Sequence, residues 1–296
     1  MKKILTIIFD GFGMKESDYG NAIINANMVN FNKFYNENPH TTLFASGHYV
    51  GLHDGQFGNS EIGHQTIGAG RLIKSREVLT DEYLDNLYLN EDENIQKLKG
   101  LTSKTIHLMG LASDGNVHAG IDDFIKMYEY LIKIGFTKIF FHLITDGRDT
   151  DSKAAYNYIS LIEKNIQKNK VGCIASICGR YYAMDRDKNY DRTKVYYDLV
   201  TKGRGIEILN IENALKSSYD KGITDEFLRP MMINREGTIK DGDVLIWMNY
   251  RSDRSKQILL ALTNPKFTEF DVTLMPNLEV FTFFNHDKLI KANVLI

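Results

Sequence analysis

Between residues 106 and 283 the chain repeats one pattern, and that pattern limits the folds open to it. Largely apolar, strand-like runs at 106–111, 138–144, 171–177, 244–249 and 280–283 alternate with stretches whose apolar residues recur every three or four positions. Phe124, Tyr128, Leu131 and Ile132 mark one helical face, and Ala155, Tyr158, Ile159, Ile162 and Ile166 mark another. Segments 193–200 and 253–262 read as two further helices. A strand buried on both faces shows no polar alternation, and successive parallel strands need a crossover between them. The expected fold class is α/β, a mostly parallel sheet with helices on both faces.

In such a sheet the loops after the strands share one edge, where open α/β sheets hold their ligands. Arginine is sparse here, 11 of 36 basic residues, yet five arginines fall just after the apolar runs. Arg148 lies in TDGRD after the second run, Arg180 and Arg186 in GRYYAMDRD after the third, and Arg251 and Arg254 in NYRSDR after the fourth. The loop ASDGNVHAG after the first run brings His118 to the same edge. Converging guanidinium groups repel one another unless a multiply charged anion sits among them, and their planar forks bind carboxylate or phosphate through paired hydrogen bonds. The competing reading is local neutralisation by Asp149, Asp185, Asp187 and Asp253, with Asp149 beside Arg148 as a structural ion pair. The balance favours a small, doubly anionic metabolite.

The N-terminal quarter reads differently. Run 3–9 (KILTIIF), within the start Met-Lys-Lys-Ile-Leu, is expected to be a buried parallel strand ending at Asp10, with 21–35 a helix and 41–45 a second strand. Residues 51–71, GLHDGQFGNSEIGHQTIGAGR, hold six glycines in 21 positions, so the backbone there can turn sharply and approach a ligand closely. Segment 61–69 can run as a short helix, which places the Ser60 hydroxyl at a helix N-terminus that favours an anion. A serine there could attack phosphorus. On chemistry alone, a plain helix cap is the stronger reading. Charge rises and the pattern turns helical from residue 76 (Val78, Leu79, Tyr83, Leu84, Leu87), marking entry into a second domain. The expected divisions are 1–75, 76–290 and 291–296.

With 43% hydrophobic and 25% charged residues and a net charge of −2, no general nucleic-acid or membrane surface is expected. No apolar run approaches the length of a membrane span, and a cytoplasmic protein is expected. Cys173 and Cys178 fall on opposite faces of one expected strand and cannot bridge each other.

DGQFGNSEIGH followed by IGAGR resembles the nucleophile loop of the cofactor-independent phosphoglycerate mutases of the alkaline phosphatase superfamily, departing at His53, where that family usually has proline. HLMGLASDGNVHAG, DGRDT, GRYYAMDRDKNYDR and NYRSDRSKQ resemble further blocks of the same family, in the family's order. The resemblance implies a parallel-sheet transferase domain inserted into an alkaline-phosphatase-like α/β domain, incomplete in this chain. It implies interconversion of 3- and 2-phosphoglycerate through a phosphoserine at Ser60, in a protein that is typically monomeric. Asp10 and Ser60 match metal ligands for two ions, usually manganese (Mn2+). His118, Arg148, Asp149, Arg180, Arg186, Arg251 and Arg254 match the phosphoglycerate-binding set, with Asp149 and His118 moving protons on and off its hydroxyls. The phosphoglycerate-specific blocks argue against another phosphomutase or phosphatase of the superfamily. The family's chains continue well beyond LIKANVLI, and 292–296 is expected to start a strand crossing back to the first domain. The other metal ligands and a phosphate-holding lysine belong to that further segment. No tight metal site is therefore expected in this chain alone, which would need a complementing C-terminal chain or act as a non-catalytic phosphoglycerate-binding fragment.

Overall fold

The five apolar runs pair edge to edge. In the computed structural model, which describes residues 3–296, they form the centre of one sheet within the larger of two compact units, Met1–Ser75 and Arg76–Ile296.

In chain order the second unit's strands are β1 (Ile106–Ala112), β2 (Ile139–Thr145), β3 (Cys173–Gly179), β4 (Ile206–Glu207), β5 (Met231–Met232), β6 (Val244–Trp247), β7 (Glu279–Thr282) and β8 (Asn293–Val294). Their spatial order is β4-β5-β3-β2-β1-β6-β7-β8. The six strands from β3 to β8 in that order are mutually parallel, while β5 runs antiparallel to β3 and carries β4 with it. Residues 292–296, expected to leave for the first domain, instead complete this sheet, because Phe281 and Thr282 pair with Asn293 and Val294.

Helices of the chain are α1 (Ala22–Asn25), α2 (Val29–Glu37), α3 (Ser60–Ala69), α4 (Arg76–Asp85), α5 (Glu93–Lys99), α6 (Ile121–Ile134), α7 (Ala155–Asn169), α8 (Arg180–Ala183), α9 (Tyr190–Lys202), α10 (Ile211–Asp220) and α11 (Lys256–Thr263). The period-two geometry of a strand divides each apolar run between two cores. Ile106 and Leu108 of β1 join Phe124 and Tyr128 of α6 and Ile159 of α7 on one face, whereas Met109 and Leu111 join Tyr196 of α9 and Ile258 of α11 on the other. Burying a side chain of this size contributes roughly 1.5–3 kcal/mol, so the two-sided sheet carries most of this unit's stability.

A polar seam crosses the second core. His107 Nε2 lies 3.2 Å from Asp243 Oδ2, His107 Nδ1 lies 3.0 Å from His142 Nε2, and His142 Nδ1 lies 2.7 Å from Ser176 Oγ. With both imidazoles neutral and protonated at Nε2, Ser176 donates to His142, His142 to His107 and His107 to Asp243, so each contact has one donor and one acceptor.

The first unit departs from expectation. Segments 3–9 and 41–45 run without a strand ladder, and Met1 and Lys2, read as part of the first strand's start, lie outside the described residues. The Ile4 and Leu5 side chains are exposed. An apolar run becomes a strand only where a neighbour satisfies its N–H and C=O groups, and none of the described residues does so. The helix expected over 21–35 is split into α1 and α2, with Ala26 extended between them. Asn25 donates to the Asp18 and Asn21 carbonyls instead of continuing the helix. The glycine-rich loop does need its glycines. Gly51 sits at φ +78°, and a Cβ there would meet the Ile73 carbonyl oxygen at 1.9 Å. Among the described residues no helix is long and apolar enough to cross a membrane.

Candidate functional site

In the first unit, Ser60 opens α3, but it does not cap it. Asn59 takes that role, its side chain accepting from the Ile62 N–H. The Ser60 hydroxyl is thereby released from helix capping and donates to Asp10 Oδ2 at 2.6 Å across 50 positions of sequence. His64 Nδ1 lies 2.7 Å from the Ser60 carbonyl. A carboxylate and a hydroxyl at this distance, both exposed, are two oxygen donors of the type a hard divalent cation takes, out of about six. Among the described residues, no group of three or more His, Cys, Asp or Glu side chains is placed to hold a metal ion.

In the second unit, the loops following β1, β2, β3 and β6 meet at the carboxyl edge of the sheet. Arg180, the first residue of α8, is 3% exposed, and its Nη1 donates to Asp146 Oδ1 and to Asp149 Oδ2, both at 2.6 Å. Asp146 also accepts from the Ser113 hydroxyl at 2.7 Å and from the Arg148 and Asp149 N–H groups. His118 lies 4.0 Å from Asp149 through Nε2 and 4.0 Å from Asp253 through Nδ1. Asp253 in turn meets Arg186 at 3.0 Å and Arg251 at 3.7 Å, and Arg148 meets Glu226 at 3.5 Å. Arg254 donates to the Met184 carbonyl at 2.9 Å.

The electrostatics follow from this convergence. Arg254 is held below the ordinary arginine pKa first by burial and then by the positive charges of Arg180, Arg186 and Arg148. Burial, followed by Arg180, pushes His118 down to about 4 despite opposing pulls from Asp253 and Asp149, so its imidazole is neutral near pH 7. Local neutralisation, the competing expectation, operates in part. Four of the five guanidinium groups meet four carboxylates (Asp146, Asp149, Asp253 and Glu226) while Arg254 meets the Met184 carbonyl, so this set carries one positive charge in excess. Asp185 turns away to Arg192 and the Asn189 and Gln257 amides. Three buried atoms of the cluster, His118 Nδ1, Arg180 Nε and Asp253 Oδ1, make no hydrogen bond among the described residues. Leaving such an atom unmet forfeits about 1–3 kcal/mol, an expense that binding sites retain for a ligand.

Asp146 and Glu226 escaped the sequence reading. Asp146 was within reach, since it directly follows β2, but a carboxylate buried beside an arginine has no sequence mark. Glu226 lies on a segment with no strand or helix pattern. Also hidden was the fastening of the loop 250–255. Tyr250 N–H donates to the His118 carbonyl at 2.8 Å, Trp247 Nε1 donates to Ser255 Oγ at 2.9 Å, and that hydroxyl donates to the Arg251 carbonyl at 2.5 Å.

A family model described as BPG-independent PGAM N-terminus (iPGM_N) matches residues 75–288. The chain belongs to that family. The relationship to the phosphoglycerate mutases extends through the first unit as well. A 2,3-bisphosphoglycerate-independent phosphoglycerate mutase of Bacteroides thetaiotaomicron is 39% identical over 295 residues, covering 98% of this chain and 58% of its own length. One from Coxiella burnetii is 40% identical over 291 residues, covering 95% and 56%. The chain thus spans a little over half the length of these curated relatives. Crystal structures of Leishmania mexicana phosphoglycerate mutase at low cobalt concentration include a chain that matches with a TM-score of 0.76 at 28% identity, over 86% of this chain and 49% of that one. The α/β fold and the lineage read from the mutase-like blocks agree with these matches.

Proposed function

We propose that this chain takes part in the interconversion of 3- and 2-phosphoglycerate, the second unit binding the glycerate and Ser60 carrying the phosphoryl group. The observation that supports the binding role most directly is the arginine crevice, net positive and lined by the unmet Arg180 Nε and His118 Nδ1. A doubly charged metabolite supplies the acceptors for Arg180 Nε and offsets the repulsion around Arg254. Arg148, Arg186, Arg251 and Arg254 complete the anion set.

In this reading Ser60 Oγ attacks phosphorus as its proton passes to Asp10 Oδ2, the acceptor 2.6 Å away. An O–P bond to serine forms, the bond from phosphorus to the substrate oxygen breaks, and that oxygen keeps the bonding pair and takes up a proton from solvent. The Asp149 carboxylate and the neutral His118 are left to accept the proton of the other hydroxyl when it attacks the phosphoserine. Return to the other hydroxyl reverses each step. Asp10 and Ser60 would be two ligands of a divalent ion, with manganese expected, and the bound ion would polarise the phosphoryl group and favour the serine alkoxide. The remaining ligands would come from elsewhere in a complete enzyme, so a complementing segment is part of the proposal. The alternative, a phosphoglycerate-binding fragment without turnover, shares the crevice and lacks the transfer.

Calorimetric titration of 3-phosphoglycerate into the 296-residue chain tests the binding role. Saturable binding is expected, weakened roughly tenfold or more by Arg254→Ala, the scale of one or two charge-assisted hydrogen bonds. Arg204→Ala, which removes an exposed partner of Asp198 outside the crevice, should leave it unchanged. No heat of binding, or equal losses in both variants, would refute the role. Turnover in a coupled assay with manganese, by this chain alone and with the family's further segment added, then separates enzyme from fragment.

A further inference from the structure

Arg76 is the first residue of α4 and of the second unit, far in sequence from the loop that carries Arg251 and Arg254. Its Nη1 nevertheless donates to the Tyr250 carbonyl at 2.9 Å and to Ser252 Oγ at 2.6 Å, the residues on either side of Arg251. The guanidinium group also lies over the Phe284 ring, 5.1 Å from its centroid, a cation–π contact beside the two hydrogen bonds. Ser252 Oγ is 3.2 Å from Nδ1 of His286, a buried histidine held at a pKa of about 4 by burial and then by the Arg76 charge. A neutral imidazole can accept there. With His286 protonated at Nε2, the chain runs in one sense, Arg76 N–H to Ser252 Oγ and Ser252 O–H to His286 Nδ1.

Arg76 acts on one margin of the loop, and the Trp247–Ser255 pair holds the Arg251 carbonyl on the other. Because Tyr250 N–H is bound to the His118 carbonyl, the Arg76 contact to the Tyr250 carbonyl holds the peptide on the other side of the Tyr250 Cα, so Tyr250 links Arg76 to the His118 loop. We infer that Arg76 is a positioning residue for phosphoglycerate, which holds Arg251, Arg254 and His118 in their binding arrangement without touching the ligand. The inference rests on the proposed binding role of the crevice. A lysine could replace the charge and donate both bonds from one nitrogen, but it offers no flat face to the Phe284 ring.

When a binding-competent arrangement is populated only part of the time, the apparent Kd rises by the inverse of that fraction. The test combines amide hydrogen exchange of the unliganded chain with titration of 3-phosphoglycerate, on wild type, Arg76→Lys and Arg76→Met. Arg76→Met is expected to speed exchange roughly tenfold at Tyr250 and its neighbours while the strands 106–112 and 139–145 keep their protection, and to raise the Kd by a similar factor. Arg76→Lys should recover only part of both. Unchanged exchange at 249–254, full recovery by lysine, or faster exchange without weaker binding would each overturn the inference. A variant that loses protection throughout the sheet would mark Arg76 as merely structural and overturn it too. If wild type binds no phosphoglycerate, the proposed function fails first, and the exchange data still decide whether Arg76 holds the loop.

Discussion

Arg180→Ala is expected to lower the unfolding free energy by about 3–5 kcal/mol, the scale for removing one partner from a buried ion pair. Arg180 and Asp146 are 3% and 2% exposed, so water does little to screen the charge left behind. The stranded Asp146 carboxylate would keep the Ser113 hydroxyl and two backbone N–H groups but lose its cationic partner at 2.6 Å. Against a total stability of about 5–15 kcal/mol, such a loss should be plain in a urea unfolding midpoint. Adding Asp146→Asn should recover a good part of it, since the amide carries no charge to strand, and the double-mutant cycle should give a coupling of at least about 1 kcal/mol. A loss below about 1 kcal/mol, or strict additivity, would show that the pair is effectively solvated and that the crevice is not preorganised by it.

The second large effect concerns acid. His107 and His142 are held below the ordinary histidine pKa chiefly by burial, and His118 and His286 are pushed down to about 4 by burial and neighbouring arginines. All four take up protons near pH 6.5 only when the chain unfolds. Their neutral-state stability is therefore complete above that pH and is lost as the pH falls from 6.5 toward 4. For His118 and His286 the shift corresponds to about 3 kcal/mol each by pH 4. Asp123 works in the opposite sense. Burial, with Asp81 beside it, raises its carboxyl to about 8, so its contribution is present in acid and is lost as the pH rises through 8. Four groups on the rising limb outweigh one on the falling limb. Stability should climb steeply from pH 5 to about 6.5 and then decline gently to pH 8. Urea midpoints at pH 5, 6.5 and 8 would show it, and Asp123→Asn should flatten the alkaline side and steepen the acid side. Equal midpoints at pH 5 and 6.5 would mean that these histidines are hydrated in the folded chain.

The second unit was legible because its central strands are long, apolar and separated by helices of clear period, which fixes both the element type and the edge where their loops gather. What stayed hidden was short or directional. Ile206–Glu207 and Met231–Met232 are two-residue strands whose pairing comes from the sheet beside them, not from any local pattern. The run at 3–9 is as apolar as β1, yet forms no ladder, because hydrophobicity names a burial preference and not a hydrogen-bonding neighbour. The choice between Ser60 and Asn59 as helix cap turned on one residue of register. Arg76 carried no signal at all. Its role depends on a contact spanning 174 positions.

Trp247 is the chain's single tryptophan, and its indole is tied through one hydroxyl to the main chain of Arg251. Nature has thus placed an unlabelled optical reporter two hydrogen bonds from the anion crevice. When the indole is excited selectively, beyond the absorption of the tyrosines, emission has one origin, and an event that shifts the Arg251 peptide acts on the environment from which that light comes.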